Sequence, residues 1–192
     1  IESDWSAAAS IMVAAAIAGE VTINNISTLS RQADTAVCRA LERAGASLII
    51  EENSITVAHR PLEAFEFDAT QCPDLFPALV ALAAAAEGVS TITGIKRLRG
   101  KESDRGEALR AEYEKLGIDI ELDYDEDVMR VVGGTPHSAN VDSHDDHRIA
   151  MSLAITALRI QDEVVIRGRE SVAKSYPSFF EDIESLKSNE GE

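Results

Sequence analysis

The stretch Lys101-Glu102-Ser103-Asp104-Arg105 sets a carboxylate among cations within five residues. Six of the chain's 18 Lys and Arg residues fall in the 15 positions from Lys96 to Arg110, in a sequence with 34 Asp and Glu and a net charge of −16. Cations at that density make a focused site for a small anion, and a glutamate among them is suited to proton transfer where charge develops. Asp104 with Glu107 three positions on reads as a capping box, so a helix begins there and Lys101 and Arg105 lie at or before its N-terminus. Cations oppose the helix dipole at that end, where an anion is favoured. A solvated basic loop paired with neighbouring acids fits the same spacing, and both readings stand.

Three more stretches carry residues of this kind. In "HSANVDSHDDHRIAM", Asp145 or Asp146 can cap a helix opening at His147, which puts His147 and Arg148 in its first turn. The neighbours His137, His144 and Asp142 invite a metal, but no histidine pair has the i, i+4 spacing of the familiar zinc helices. Anion binding and a capped surface loop are the other two readings. In "SVAKSYPSF", Lys174 stands between a strand and a proline-containing turn, the place of many a surface lysine. In "QCPDLFPAL", Pro73 suits helix position N1 and Asp74 then falls at N2, where a carboxylate complements the dipole.

The elements that must carry these residues repeat. Three segments share an apolar helix running into a short strand: "SAAASIMVAAAIAGEVTINNI", "PDLFPALVALAAAAEGVSTITGI" and "HRIAMSLAITALRIQDEVVIRGR". Ile23, Ile92 and Ile166 mark the strands, 69 and 74 residues apart. Each strand leads to a second, amphipathic helix, from Asp34, Ser103 and Ser175, with stripes at Val37, Leu41 and Ala44 and at Leu109, Tyr113 and Leu116. Gly45 and Gly117 suit left-handed C-caps. Hairpins follow in the first two units, turning at Asn53 and near Asp125 to Asp127. Extended segments Phe65 to Thr70 and Ala139 to His144 open units two and three. The unit is strand, helix, strand, helix, hairpin, with the first copy short of its opening strand and the third of its hairpin. The first helices are apolar nearly all round, which predicts three helices inside and sheets outside in an α/β domain of quasi-threefold layout. Asp74, Lys101, Arg105, His147, Arg148 and Lys174 all lie at or just before helix starts. Equivalent ends of equivalent units point the same way, so the four loops are expected on one face.

Composition narrows the function classes. With 192 residues and 45% hydrophobic content, a packed core is within reach. The strong negative charge argues against a nucleic-acid or anionic-membrane partner. Cys38 and Cys72 are far apart and are expected reduced and half-buried, in keeping with a cytoplasmic protein. The apolar run from Ala7 to Gly19 is too short to span a bilayer. Glu2 and Asp4 stand where a secretion signal carries basic residues. The start at Ile1, entering a helix almost at once, suggests a piece of a longer protein.

"PDLFPAL", "KESDR", "DDHRIAM" and "AKSYPSFF", in that order, resemble the EPSP synthase family (3-phosphoshikimate 1-carboxyvinyltransferases). The resemblance runs from "IESDWSAAAS" to near Leu186 and corresponds to the C-terminal half of the family's proteins. It implies one domain, residues 1–192, of the enolpyruvyl transferase fold: a quasi-threefold repeat of βαβαββ units, paired with an N-terminal domain absent from this sequence. It also implies transfer of the enolpyruvyl group of phosphoenolpyruvate to the 5-hydroxyl of shikimate 3-phosphate, with release of phosphate and no metal or organic cofactor. By position, Asp74 matches the proton acceptor near the 5-hydroxyl and Glu102 the group handling the proton on the methylene carbon. Lys101 lies between the two substrates. Arg105, Arg148 and Lys174 match phosphoenolpyruvate-binding positions, with His147 in the same cluster. Arg97 departs from the asparagine common at its position and stays outside the site. The other functions in view are a sister transferase acting on a UDP-sugar, which the combined motifs disfavour, and a non-catalytic anion-binding module, which the intact set of acids and cations disfavours. Because the family's site lies between two domains, this chain alone is expected to be inactive.

Overall fold

The computed structural model describes residues 3–101 and 104–187. Three helices form the centre. Helix α1 (Trp5–Ala18), α3 (Phe76–Ala85) and α5 (His147–Ala157) each pack against the other two. Their sequences explain the position: in α1 the run from Ala9 to Ile17 is buried without a break, and in α3 the run from Phe76 to Ala84. Small alanines on facing sides let helices without a polar face approach closely. Asp4 caps α1, accepting from the Ser6 and Ala7 amides at 2.8 and 3.3 Å. Trp5 then sits in the core, its indole N–H donating to Ser27 O at 3.3 Å.

Each unit contributes its own sheet. Among the described residues, the first sheet has the order β1 (Glu20–Asn24), β3 (Ser54–Ala58), β2 (Ser47–Ile50), all antiparallel. The second has the order β4 (Glu66–Asp68), β5 (Val89–Thr93), β7 (Val128–Val132), β6 (Ile120–Asp123), with β4 and β5 parallel across α3. The third is the parallel pair β8 (Asn140–Asp142) and β9 (Val165–Arg167) across α5. The marker isoleucines occupy β1, β5 and β9, and Ile92 is wholly buried. Strands alternate between a core face and a solvent face: Ile55, Val57, Met129 and Val131 point in, while Thr22 and Thr56 meet outside at 2.8 Å.

The second helices are α2 (Val37–Arg43), α4 (Arg105–Lys115) and α6 (Phe179–Lys187), and α4 packs against β6 of the second sheet and β8 of the third. Both predicted stripes are buried, Val37, Leu41 and Ala44 in one case, Leu109, Tyr113 and Leu116 in the other. The fold thus has the quasi-threefold layout read from the repeats, helices inside and sheets outside. Several helix starts differ, that of α6 falling at Phe179 and not at Ser175. The Asp34 segment begins as a 3-10 turn, Ala33–Ala36, before α2. Pro73 opens a 3-10 turn, Pro73–Leu75, and α3 starts only at Phe76. Pro77 has no N–H to return to Pro73, so the Phe76 amide takes the Pro73 carbonyl and the first turn tightens. Cys72 is buried, not half-buried as expected, while Cys38 is partly so; burial pushes both thiols up to about 11. Among the described residues no helix is long and apolar enough to cross a membrane.

Candidate active site

The loop into α4 starts from a fixed point. Gly94 has φ +109°, and a Cβ there would stand 2.8 Å from the Thr70 amide nitrogen. The backbone is pinned next to it by Asp127, whose carbonyl accepts from the Gly94 amide and whose carboxylate accepts from the Lys96 amide, both at 2.8 Å. A short 3-10 turn, Ile95–Leu98, follows, with Ile95 and Leu98 buried.

The basic stretch does not act as one patch. Lys96 and Arg97 are exposed, Arg99 lies over the Tyr124 ring at 4.1 Å, and Arg110 pairs with Glu107 at 2.7 Å on the outer face of α4. Lys101 and Arg105 alone of the six turn toward Asp74. Lys101 Nζ is 3.2 Å, and Arg105 Nη1 2.8 Å, from Asp74 Oδ1. From α5, Arg148 Nη2 comes within 3.5 Å of Asp74 Oδ2, and its Nη1 donates to the Asp74 carbonyl at 3.4 Å. Asp74 therefore sits among three cations drawn from two repeat units. Its partial burial favours the neutral acid, but Arg148, Arg105 and Lys101 outweigh that and hold the carboxyl below the usual range.

Beneath this surface lies a buried ion pair. Arg105 is 1% and Asp146 0% exposed, and Arg105 Nε donates to Asp146 Oδ2 at 2.6 Å. Of the two aspartates offered as caps for α5, Asp146 is the one that serves, its Oδ1 accepting from the Arg148 amide at 2.9 Å. One buried carboxylate thus fixes Arg105 and starts the helix that carries Arg148. Asp104 caps α4, accepting from the Glu107 amide at 3.4 Å. His147, the first residue of α5, is buried beside this pair in sequence. Lys174 Nζ is held by Asp145, by its carbonyl at 2.9 Å and its carboxylate at 2.8 Å.

Of the predicted residues, Asp74, Lys101, Arg105 and Arg148 are joined directly. Lys174 is held apart from them by Asp145, the chain neighbour of Asp146, and Glu102 lies outside the described residues. The histidines and acids that suggested a metal go to separate partners. His137 stands against Gly117, whose added Cβ would meet its ring at 2.8 Å, and His144 Nε2 bonds Glu112 at 2.8 Å. Sequence reasoning left three residues out of the site. Asp146 was seen only as a possible cap, although a buried arginine needs a buried anion. Glu112 falls between Leu109 and Tyr113 in the buried stripe of α4, and a carboxylate inside such a stripe is itself a signal. Asp34 is buried and accepts a hydrogen bond from the Ser6 hydroxyl. Its burial raises its pKa, partly offset by Ser6 and by the charge of Arg148, which ties it electrically to the site. Asp74 thus gathers three cations, two from the start of α4 and the loop before it and one from the start of α5, and helix starts and cations together are suited to anions.

The family model for EPSP synthase (3-phosphoshikimate 1-carboxyvinyltransferase) matches residues 1–183. This chain belongs to the EPSP synthase family. A relative of that name from Clostridium perfringens is 41% identical over 191 residues, which cover 97% of this chain and 44% of the relative. One from Pyrococcus abyssi is 38% identical over the whole chain and 46% of its own length. The chain therefore spans a little under half the length of the curated relatives it matches. An EPSP synthase structure from Acinetobacter baumannii superposes with a TM-score of 0.84 at 32% identity, over 97% of this chain and 46% of that one. An enolpyruvyl transferase structure from Streptomyces tendae, at 22% identity, shares the fold with a TM-score of 0.74 over 97% of this chain and 43% of that one. The three-unit domain is one domain of the enolpyruvyl transferase fold.

Proposed function

We propose that this chain supplies one wall of an active site that transfers the enolpyruvyl group of phosphoenolpyruvate to the 5-hydroxyl of shikimate 3-phosphate, releasing inorganic phosphate. Residues 1–192 act as a single domain, and a second domain of the same enzyme closes the site. The observation that carries the reading is the meeting of Lys101, Arg105 and Arg148 on Asp74. Membership of the family supports it.

The chemistry needs a base for the hydroxyl and an acid for a carbon. The 5-oxygen bonds to the central carbon of the enol while a proton goes to its methylene carbon. The carbon–oxygen bond to phosphate then breaks and the methyl carbon gives a proton back. Asp74 takes the hydroxyl proton, and Glu102 serves the carbon. Lys101, between the substrates, and Arg105, His147, Arg148 and Lys174 bind phosphate and carboxylate oxygens and stabilise charge as it develops. The cations on Asp74 keep it ionised but weakly basic. Substrate anions that draw Arg148 and Lys101 toward themselves raise its proton affinity at the moment it is needed. The residues in hand supply acid, base and anion binding, and no cofactor enters the scheme. A cytoplasmic location belongs to the same proposal, supported by two free cysteines.

The test is phosphate release from the two substrates by this chain, alone and mixed with the separately expressed N-terminal half. The expected result is activity on mixing and none from the chain alone. Folded, associated halves that release no phosphate would overturn the reading, and turnover by the chain alone would overturn the need for a second domain.

A further inference from the structure

Helix α4 grips the loop between β8 and α5 at two points. Arg105 and Glu112 are seven residues apart, two helical turns, so they lie on nearly the same face and about 10 Å apart along the axis. Arg105 holds Asp146 at one end of the loop. Glu112, 2% exposed, holds the other end. Its Oε2 accepts from the Asp142 amide at 2.9 Å and from Lys115 Nζ at 2.7 Å, and its Oε1 meets His144 Nε2 at 2.8 Å.

The loop between the two grips has a conformation that needs holding. His144 and Asp145 are consecutive left-handed residues with φ 53° and 57°, and neither is glycine. The Asp142 carboxylate accepts from the His144 amide at 2.8 Å, and the Ser143 amide donates to Arg167 O at 2.9 Å. Asp145, the second strained residue, offers both its carbonyl and its carboxylate to Lys174. Asp146, the next residue, caps α5 at Arg148. Burial works to raise the Glu112 pKa, but hydrogen bonds from Lys115, the Asp142 amide and His144 outweigh it, so the carboxylate stays ionised.

We infer that Glu112 is a positioning residue which, through the 142–146 loop, sets the places of the Lys174 ammonium and the Arg148 guanidinium. It touches neither cation. The inference rests on the proposed function for its kinetic consequence, not for its structural one. A misplacement of about 1 Å at such a remove can cost on the order of 100-fold in rate, so the effect is measurable.

The test has two arms, with Glu112→Gln beside Glu112→Ala. In the first, amide NMR signals of the 192-residue chain are compared with those of the variants. The expected result is displaced signals from Ser143 to Arg148 and at Lys174 in Glu112→Ala, with smaller displacements in Glu112→Gln, whose amide oxygen still accepts from Asp142. In the second, the chain mixed with the N-terminal half is assayed. Glu112→Ala is expected to raise KM for phosphoenolpyruvate about 10- to 100-fold, with KM for shikimate 3-phosphate little changed and Glu112→Gln recovering most of the loss. Unmoved loop signals overturn the inference. So does a loss of activity with both KM values intact and in proportion to the unfolded fraction, the mark of a purely structural residue. If the wild-type mixture has no activity, the proposed function falls and the NMR arm alone decides the role of Glu112.

Discussion

Replacing Asp146 by asparagine separates the two jobs its carboxylate performs. The side chain is fully buried and pairs with Arg105, itself 1% exposed, through Nε at 2.6 Å and Nη2 at 3.4 Å. Removing one partner of a buried ion pair leaves an uncompensated charge and costs about 3 to 5 kcal/mol. The lower end applies, because Arg105 Nη1 keeps Asp74 at 2.8 Å, and asparagine can still cap α5 by accepting from the Arg148 amide. We expect Asp146→Asn to cost about 3 kcal/mol of a total on the order of 10. Asp146→Ala loses the cap as well, worth about 1 kcal/mol, for about 4 together.

Urea unfolding of the two variants, followed by circular dichroism, measures both numbers. Thermal midpoints should fall by roughly 6 to 12 °C for the asparagine variant, at about 2 to 4 °C per kcal/mol in a chain of this size. Glu121→Ala is the control: its partner Arg130 lies on the sheet surface at 3.3 Å, and an exposed pair is worth less than about 1 kcal/mol. An asparagine variant within about 1 kcal/mol of wild type would refute the claim that Arg105 depends on this carboxylate. Equal losses in the asparagine and alanine variants would refute the separate value of the cap.

Asp74→Asn, at a carboxylate more than a third exposed, should barely move the thermal midpoint while lowering kcat of the reconstituted enzyme by about 10²- to 10⁴-fold; unchanged turnover would remove Asp74 as the base. Tyr113 is wholly buried, its hydroxyl 2.6 Å from Ser152 Oγ and 2.8 Å from Thr156 Oγ1, and burial pushes its pKa up to about 12. Tyr113→Phe should cost about 1 to 2 kcal/mol in urea and leave both KM values alone, because the bond joins α4 to α5 inside the core. Asp34 has a raised pKa, chiefly from burial, so the folded chain binds its proton more tightly than the unfolded chain does. Its contribution to stability therefore falls as pH rises from the ordinary value of 3.8 through the raised one. Asp34→Asn should gain stability relative to wild type between pH 4 and pH 7, and a difference independent of pH would refute the assignment.

The repeats made the architecture legible. Apolar helices without a polar face have one place to go, and α1 and α3 are buried along most of their length as that demands. The alternating strands and the glycines at the ends of α2 and α4 were equally plain. Helix starts were read less well, because Pro77 tightens the turn before α3 in a way that the periodicity of "PALVALAAAA" does not register. At the site, residue type and position marked Asp74, Arg105 and Arg148 as candidates at helix starts, their roles came from the family resemblance, and the structure brings the three together. What stayed hidden was the pairing. Six cations close in sequence look like one patch, yet Arg99 goes to Tyr124 and Arg110 to Glu107, because successive positions on a turn and a helix face different ways. The pairings of Asp146 and Glu112 were hidden for the complementary reason: each is buried next to a partner far along the chain, 41 and 32 residues away, and only the place of Glu112 in an apolar stripe hinted at it.

The acids of the site explain how its cations coexist. Lys101, Arg105 and Arg148 repel one another, and three helical starts add partial positive charge on the same side. A fold that gathers them must supply anions of its own. Asp146 does so permanently, since it is buried and bonded to Arg105 and to the start of α5. Asp74 and Asp145 are exposed enough to be replaced: Asp74 meets Lys101, and Asp145 meets Lys174, where a phosphate or carboxylate can take over the bonds. The division follows burial. Removing the buried carboxylate should act mainly on stability, whereas removing an exposed one should alter binding and leave the fold. Opposite responses of stability and KM to substitution at Asp146 and at Asp145 are the direct consequence, and equal responses would show that the three aspartates are not so divided.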